Sequence, residues 1–252
     1  MEFVYFSSPV GTQSERESGI IWPGGWFDAT GFATRYRIGS PYEALHTGAD
    51  VNINTPHFDA DKLAPVYSIG NGVVTAASRF KAWGNVIVIR YPLEDGRMIW
   101  ARYAHVDQMF VREGEAVNIG QQIARIGNAF NTMAYHLHFD ICPSGKIETR
   151  PDDWPKLDKT RLARDYADPK VWLQARVKPA IFTKRLVEVT ADSLFVRNYS
   201  APRATIVGKL KRGDRVTILN AAPVVNVYRW VRLDGDQPNR WIASECTRDV
   251  RE

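Results

Sequence analysis

Six consecutive residues, Tyr135-His136-Leu137-His138-Phe139-Asp140, constrain this chain more than any other stretch. Read as a strand, they set His136, His138 and Asp140 on one face and Leu137 and Phe139 on the other, towards a core. Imidazoles two residues apart on a strand stand about 6–7 Å apart at their stems, which suits two ligands of one metal or one ligand beside an acid–base group. A strand that only packs would not line one face with two histidines and a carboxylate, because buried imidazoles need partners.

The remaining histidines extend the pattern. Of five in the chain, four fall into three groups: His46 with Asp50, His105, and His136 with His138. In an extended strand His46 and Asp50 would share a face but lie about 13 Å apart. Ligands of one zinc sit about 2.0–2.2 Å from the ion. If both bind one metal, the chain must tighten between them, and Gly48 in His46-Thr47-Gly48-Ala49-Asp50 permits it. A His/Asp/His set with an open fourth position is what metal-assisted hydrolysis requires, since the ion lowers the pKa of a bound water towards about 7. Spacing alone leaves open which of His136 and His138 is the ligand.

Around these residues the chain reads as all-β. Its 252 residues, 44% of them hydrophobic, are ample for one large core or two smaller ones. Residues 1–40, with Trp22-Pro23-Gly24-Gly25-Trp26-Phe27, show no helical period and suggest loop and short strand. Short β-rich runs at 66–69, 72–76, 85–91, 98–105 and 119–126 alternate with turns such as Gly70-Asn71-Gly72, predicting an antiparallel domain. Asp95-Gly96 gives the strongest hairpin signal, between 86–89 and 98–100. Asp168-Pro169-Lys170-Val171-Trp172-Leu173 predicts a short helix with proline in its first turn. Residues 177–185, including Pro179, read as a linker. Six further short strands, at 186–190, 195–197, 205–210, 216–219, 227–233 and 240–243, suit a small closed barrel.

The formal charge of +5 is spread along the chain rather than clustered, so it predicts no nucleic-acid partner. Cys142 and Cys246 are expected to be unpaired thiols. No run of about 18 apolar residues predicts a membrane span, and Glu15 and Glu17 interrupt what apolar character residues 1–19 have.

The three histidine groups also carry a resemblance. His46-x3-Asp50, Tyr103-Ala104-His105-Val106 and His136-Leu137-His138-Phe139 are similar, in order and spacing, to the three signatures of the lysostaphin/LytM-type zinc metallopeptidases. Gly70-Asn71-Gly72-Val73-Val74, Trp83-Gly84-Asn85-Val86-Ile87-Val88-Ile89 and the stretch from Val111 to Ile123 resemble that family's core, and the likeness covers about residues 30–142. It implies an antiparallel barrel-sandwich hybrid within residues 1–176, with one Zn2+ held by His46, Asp50 and His138. It further implies that His105 and His136 act beside the metal on protons and oxyanion charge, with peptidoglycan peptide as substrate. The implied place of action is outside the cell, in wall or periplasm, reached as a phage lysin or through a leader that this sequence does not display.

Departures from the family pattern fall around the site. Ala134-Tyr135 stands where Gly-Pro is usual, Asp140 where Glu is usual, and residues 57–63 resemble an insertion. His57 is expected to be a solvated loop residue, and Asp140 to support the metal site rather than to bind the ion. The stretch from Val111 to Gly127 also resembles biotin- and lipoyl-carrier hairpins, but Asn128-Ala129-Phe130-Asn131 offers no lysine for attachment. A non-catalytic protein of the same fold, which binds the wall or regulates an amidase, is the alternative from another class.

Residues 186–252 resemble a bacterial SH3-like (SH3b) domain, through Val207-Gly208-Lys209-Leu210-Lys211-Arg212-Gly213-Asp214, Trp230-Val231-Arg232 and Arg240-Trp241-Ile242-Ala243. With 11 Lys/Arg against 8 Asp/Glu this part is only slightly basic, and without histidine it shows no catalytic set; the resemblance implies binding of wall peptide or glycan, with Tyr228 and Trp230 either offering a stacking face or packing in the core.

Overall fold

The computed structural model describes residues 5–177, 184–197, 205–219, 224–225, 228–233 and 240–250. The chain divides into two units, residues 1–11 with 19–178, and residues 12–18 with 179–252. Most of the 177–185 linker lies outside the described residues. A four-residue helix, α1 (Gln13–Arg16), belongs to the second unit; Thr12 and Glu15 cap it reciprocally, too short an element to show a period in sequence.

In the first unit, β1 (Phe27–Thr30), β2 (Arg35–Tyr36), β3 (Ala44–Leu45) and β4 (Ala49–Asn52) lead into β5 (Pro65–Tyr67) and the long strands β6 (Gly72–Phe80), β7 (Gly84–Pro92) and β8 (Met98–Met109). Then come β9 (Ala116–Val117), β10 (Gln122–Ile126) and β11 (Leu137–Cys142). The sheet runs β1-β4-β11-β8-β7-β6-β9, every pair antiparallel, with β10 pairing β5 and β8 off that path. The β7–β8 hairpin closes from the Pro92↔Met98 pair through a turn in which Gly96 takes φ 81°.

Alternation along the central strands sorts side chains onto two faces. Ile87, Ile89, Ala101, Tyr103, Leu137, Phe139 and Ile141 fill the main core. Val86, Val88, Ala104 and Cys142 point the other way, where Ile147, Leu162 and Tyr166 cover them. All six residues of β11 are buried. The second face therefore has a cover of its own, which the sequence pattern did not suggest. It comes from α2 (Lys146–Thr149) and α3 (Lys159–Asp165), the latter capped by Asp158 accepting from the Arg161 amide. Sealing a large apolar side chain such as Phe139 between layers stabilises the fold by about 1.5–3 kcal/mol. Helix α4 (Pro169–Gln174) starts at Asp168, whose carboxylate accepts from the Lys170 and Val171 amides, and its Trp172 and Leu173 join the main core.

The second unit contains β12 (Lys184–Val189), β13 (Leu194–Arg197), β14 (Ile206–Leu210), β15 (Arg215–Leu219), β16 (Val224–Val225), β17 (Tyr228–Leu233), β18 (Trp241–Ala243) and β19 (Thr247–Asp249). These form an antiparallel sheet in the order β14-β13-β18-β17-β15-β12-β19, with β16 on β17. Val187, Val189, Leu194, Val196, Ile218, Val231 and Ile242 make its core. The side chains of Tyr228 and Trp230 lie outside the described residues. Cys142 and Cys246 are both free thiols. Among the described residues no helix is long and apolar enough to cross a membrane.

Candidate metal centre

Asp50 and His138 face each other as a cross-strand pair of β4 and β11. His46 reaches the same point from the turn between β3 and β4. Its backbone is laced to the chain before β2, its amide donating to Thr34 O at 2.8 Å and its carbonyl accepting from Ala33. The chain does tighten at Gly48, but the glycine is required by proximity, not by φ. A Cβ there would lie 2.2 Å from the Phe139 carbonyl oxygen and 2.7 Å from Asp140 Oδ1. Only hydrogen lets this turn press against β11.

Nδ1 and Nε2 donors and one carboxylate oxygen converge. His46 Nε2 is 3.0 Å from Asp50 Oδ1 and 3.0 Å from His138 Nδ1, and His138 Nδ1 is 3.1 Å from the same Oδ1. The far side of each ring decides where its proton sits. His46 Nδ1 lies 3.3 Å from Gly31 O, and a carbonyl only accepts, so Nδ1 carries the hydrogen and Nε2 a lone pair. His138 Nε2 meets Asp140 Oδ1 at 3.0 Å, an ion-pair contact rather than a well-aligned hydrogen bond, and again the partner only accepts. Three lone pairs therefore point at one another, an arrangement that repels unless a cation lies among them. Tetrahedral ligands with bonds of about 2.0–2.2 Å stand roughly 3.3–3.6 Å apart, so the set fits zinc with a few tenths of an ångström of expansion. Among the described residues these three form the one group whose donor atoms lie close enough together to hold a metal ion.

The electrostatics tell the same story. Burial raises Asp50, but contacts from His138 and His46 outweigh it and hold the carboxyl well below its ordinary range. Burial works against charge on His138, yet Asp140 and then Asp50 lift the imidazole to about 9, so near pH 7 a proton sits on Nδ1 wherever a metal ion does not replace it. This cluster asks for positive charge at its centre.

His105 and His136 flank the trio, their ring centroids 4.8 Å apart. His105 stands there because of an irregularity in β8. The β7–β8 register jumps from Asn85↔Val106 to Val86↔Ala104, leaving His105 as an extra residue with φ 63°. In strict alternation His105 would follow Tyr103 into the main core; the bulge turns it to the opposite face, beside His138. Gly127 fits against the bulge, since a Cβ there would lie 2.5 Å from His105 O. Nδ1 of His105 donates to Trp83 O at 2.9 Å and Nδ1 of His136 to Ala134 O at 2.9 Å. Both rings thus keep Nε2 open, and His136 Nε2 lies 3.6 Å from Asp50 Oδ1. Burial, reinforced by the neighbouring histidines, pushes His105 well below its usual value; burial likewise lowers His136, so both are neutral bases near pH 7.

All five residues singled out in the sequence thus come together. His57 is exposed in the 55–63 loop, which ties to the 128–135 loop where Asp59 Oδ1 accepts from the Tyr135 amide at 3.2 Å. Three neighbours escaped the sequence reading: Arg102, Thr47 and Trp83. Arg102 sits opposite Asp140 on β8 with no exposed surface, and Trp83 stacks on His105 at 14° between ring planes. An arginine in an alternating strand normally signals solvent, so only the unforeseen cover of the second face gives it away.

Residues 45–149 match the model of peptidase family M23. Lipoprotein NlpD of Yersinia enterocolitica is 39% identical over 83 residues, 32% of this chain and 80% of that protein. The chain belongs to peptidase family M23. Peptidoglycan DD-endopeptidase ShyB of Vibrio cholerae is 35% identical over 112 residues, 44% of this chain but 24% of ShyB, so the match spans about a quarter of that relative. The structure of the antimicrobial peptidase lysostaphin from Staphylococcus simulans aligns over 96% of this chain and 92% of its own, at 17% identity and TM-score 0.47. The M23 match includes all five site residues and ends just before residues 150–166, which cover the sheet's second face.

Proposed function

We propose that this chain is a zinc-dependent endopeptidase that hydrolyses peptide bonds of bacterial peptidoglycan, outside the cell or in the periplasm. The observation that carries the reading is the convergence of three lone pairs, from His46, Asp50 and His138, beside two neutral imidazoles. Membership of M23 and the likeness to a peptidoglycan DD-endopeptidase support the reaction class.

His46, Asp50 and His138 would hold one zinc per chain. When bound, it supplies a Lewis acid for the scissile carbonyl and a water acidified towards neutrality. The protein's own groups handle the rest. Either open Nε2, of His105 or His136, can accept the proton that water loses when it attacks. Once protonated, the same nitrogen becomes a donor, first to the oxyanion and then to the departing amine. The carbonyl contacts of both Nδ1 atoms keep the rings turned for this exchange.

Residues 1–176, apart from residues 12–18 that group with the second unit, would form the peptidase, and 186–252 an SH3-like domain that holds the enzyme to the wall. A short tether gives such a module an effective local concentration of about millimolar. The second reading, a non-catalytic wall-binding or amidase-regulating protein, draws support from the NlpD match, since that relative bears the name of a lipoprotein and not of an enzyme. Metal analysis and a peptidoglycan digest separate the two. The enzyme contains about one zinc per chain and releases peptide fragments identifiable by mass spectrometry, and His138→Ala loses metal and hydrolysis together. A zinc-free wild-type protein, or a His138→Ala variant that digests peptidoglycan at the native rate, sinks the peptidase reading.

A further inference from the structure

The proposed mechanism makes no use of Arg102, although it is a fully buried charge in the middle of the sheet. A guanidinium taken out of water costs several kcal/mol unless its donors are met, so its partners are worth tracing. Nε donates to Asp140 Oδ2 at 2.5 Å. Nη1 donates to the carbonyls of Pro151 and Asp153 at 3.0 and 2.9 Å, and Nη2 to Thr47 Oγ1 at 3.3 Å. Its flat face rests 3.8 Å from the Trp83 ring.

We propose that Arg102 is a positioning residue for His138, acting through Asp140. This rests on the reading that the site holds zinc. The Asp140 carboxylate is divided, Oδ2 on Arg102 and Oδ1 on His138 Nε2. A carboxylate left alone can swing about its Cβ–Cγ bond; the Arg102 hydrogen bond to Oδ2 opposes that swing and keeps Oδ1 in ion-pair contact with His138 Nε2. Held this way, Asp140 keeps the His138 proton on Nε2 and the Nδ1 lone pair aimed at the metal.

Arg102 also joins the two ligand-bearing segments to a third. Thr47 lies between His46 and Gly48, and its hydroxyl is 3.4 Å from His138 Nε2. Trp83 Nε1 donates to Asp152 O at 3.1 Å, so three successive carbonyls, of residues 151, 152 and 153, are taken by Arg102 and its stacking partner. Trp83 O in turn orients His105. One cation and one indole thus fix a ligand, an acid–base histidine and a segment beyond the family match.

The test uses the full chain with zinc as the probe, its affinity read by competition with a chromophoric chelator. The His138 Nε2–H proton of the zinc-loaded protein is followed by 1H–15N NMR. Asp140→Asn is isosteric, but its amide nitrogen can face His138 and force the other tautomer. Arg102→Lys keeps charge, yet a point ammonium cannot serve the carboxylate, two carbonyls and a hydroxyl together. Each variant is expected to bind zinc about ten- to hundredfold more weakly and to lose or shift the Nε2–H signal. The double variant should be no weaker than Asp140→Asn alone, because Arg102 works through that residue. Wild-type affinity and an unmoved signal in Arg102→Lys overturn the proposal, as do losses that multiply in the double variant. Should Arg102→Lys fail to fold, as its melting would reveal, Asp140→Asn decides alone: unchanged zinc affinity overturns the role. A wild-type chain that takes up no zinc overturns the metal reading and this one with it, whereas equal binding by wild type and variants removes only the role of Arg102.

Discussion

Replacing Gly48 by alanine adds one methyl group at the tightest point of the site. That carbon would sit 2.2 Å from the Phe139 carbonyl oxygen, 2.8 Å from the Phe139 carbonyl carbon and 2.7 Å from Asp140 Oδ1. Carbon and oxygen approach no closer than about 3.3 Å even in favourable C–H···O contacts, so roughly 1 Å of movement is needed. β11 cannot supply it, being paired with β4 on one side and β8 on the other, and Asp140 is hydrogen-bonded to Arg102 through Oδ2. The turn carrying His46 and Asp50 must move away from His138 instead. A metal site tolerates about 0.2 Å in its ligand distances, so displacement on this scale separates one ligand from the other two. Zinc affinity should drop by at least ~100-fold, and overpacking should cost about 1–3 kcal/mol of stability. Chelator competition measures the first and thermal melting the second. Gly31→Ala is the control: its Cβ would meet Asp28 Oδ2 at an ordinary 3.4 Å, and both properties should stay near wild type. A Gly48→Ala protein that melts normally and binds zinc like wild type would refute the argument that close approach selects glycine here.

Three further outcomes are expected. Asp61 is fully buried with neither carboxylate oxygen well hydrogen-bonded, and burial pushes it up to about 6 from 3.8. The folded state therefore binds this proton more tightly than the unfolded chain, so stability falls as pH rises from about 4 to 6; Asp61→Asn should remove up to ~3 kcal/mol of that loss, with urea titrations of wild type and variant diverging across this window and staying apart above it. Replacing His105 by glutamine should leave zinc stoichiometry unchanged while hydrolysis falls about 10²–10⁴-fold, measured by metal analysis and fragment release; an equal loss of zinc would assign His105 to the ligand set instead. A chain ending at residue 149 strips the carbonyl partners from buried Arg102 and Trp83 and should show no cooperative melting by circular dichroism, whereas the full chain melts cooperatively.

The metal-ligating group was legible because few residue types bind zinc, and their order along the chain limits which can meet. The central strands were legible from alternation and turn chemistry, as at Asp95-Gly96. What escaped depends on contacts distant in sequence. Alternation reads Arg102 as a solvent-facing residue, and nothing local announces that residues 150–166 will cover that face. The helices Lys146–Thr149 and Lys159–Asp165 are too short for a hydrophobic period, like Gln13–Arg16. Sequence points to Gly48 through backbone freedom, whereas its true constraint is a carbonyl from a strand ninety residues later.

The bulge at His105 carries a consequence for how this strand tolerates change. Tyr103 and His105 are both odd-numbered, yet one belongs to the oily interior and the other to the reactive pocket. A ribbon of strict two-residue rhythm would have to give up one of them. By skipping a beat once, β8 serves both, and the skip works as a counter: deleting a single residue nearby would reset the phase and send the imidazole inward among aliphatic side chains. Length, not only identity, is what this part of the polypeptide has to conserve.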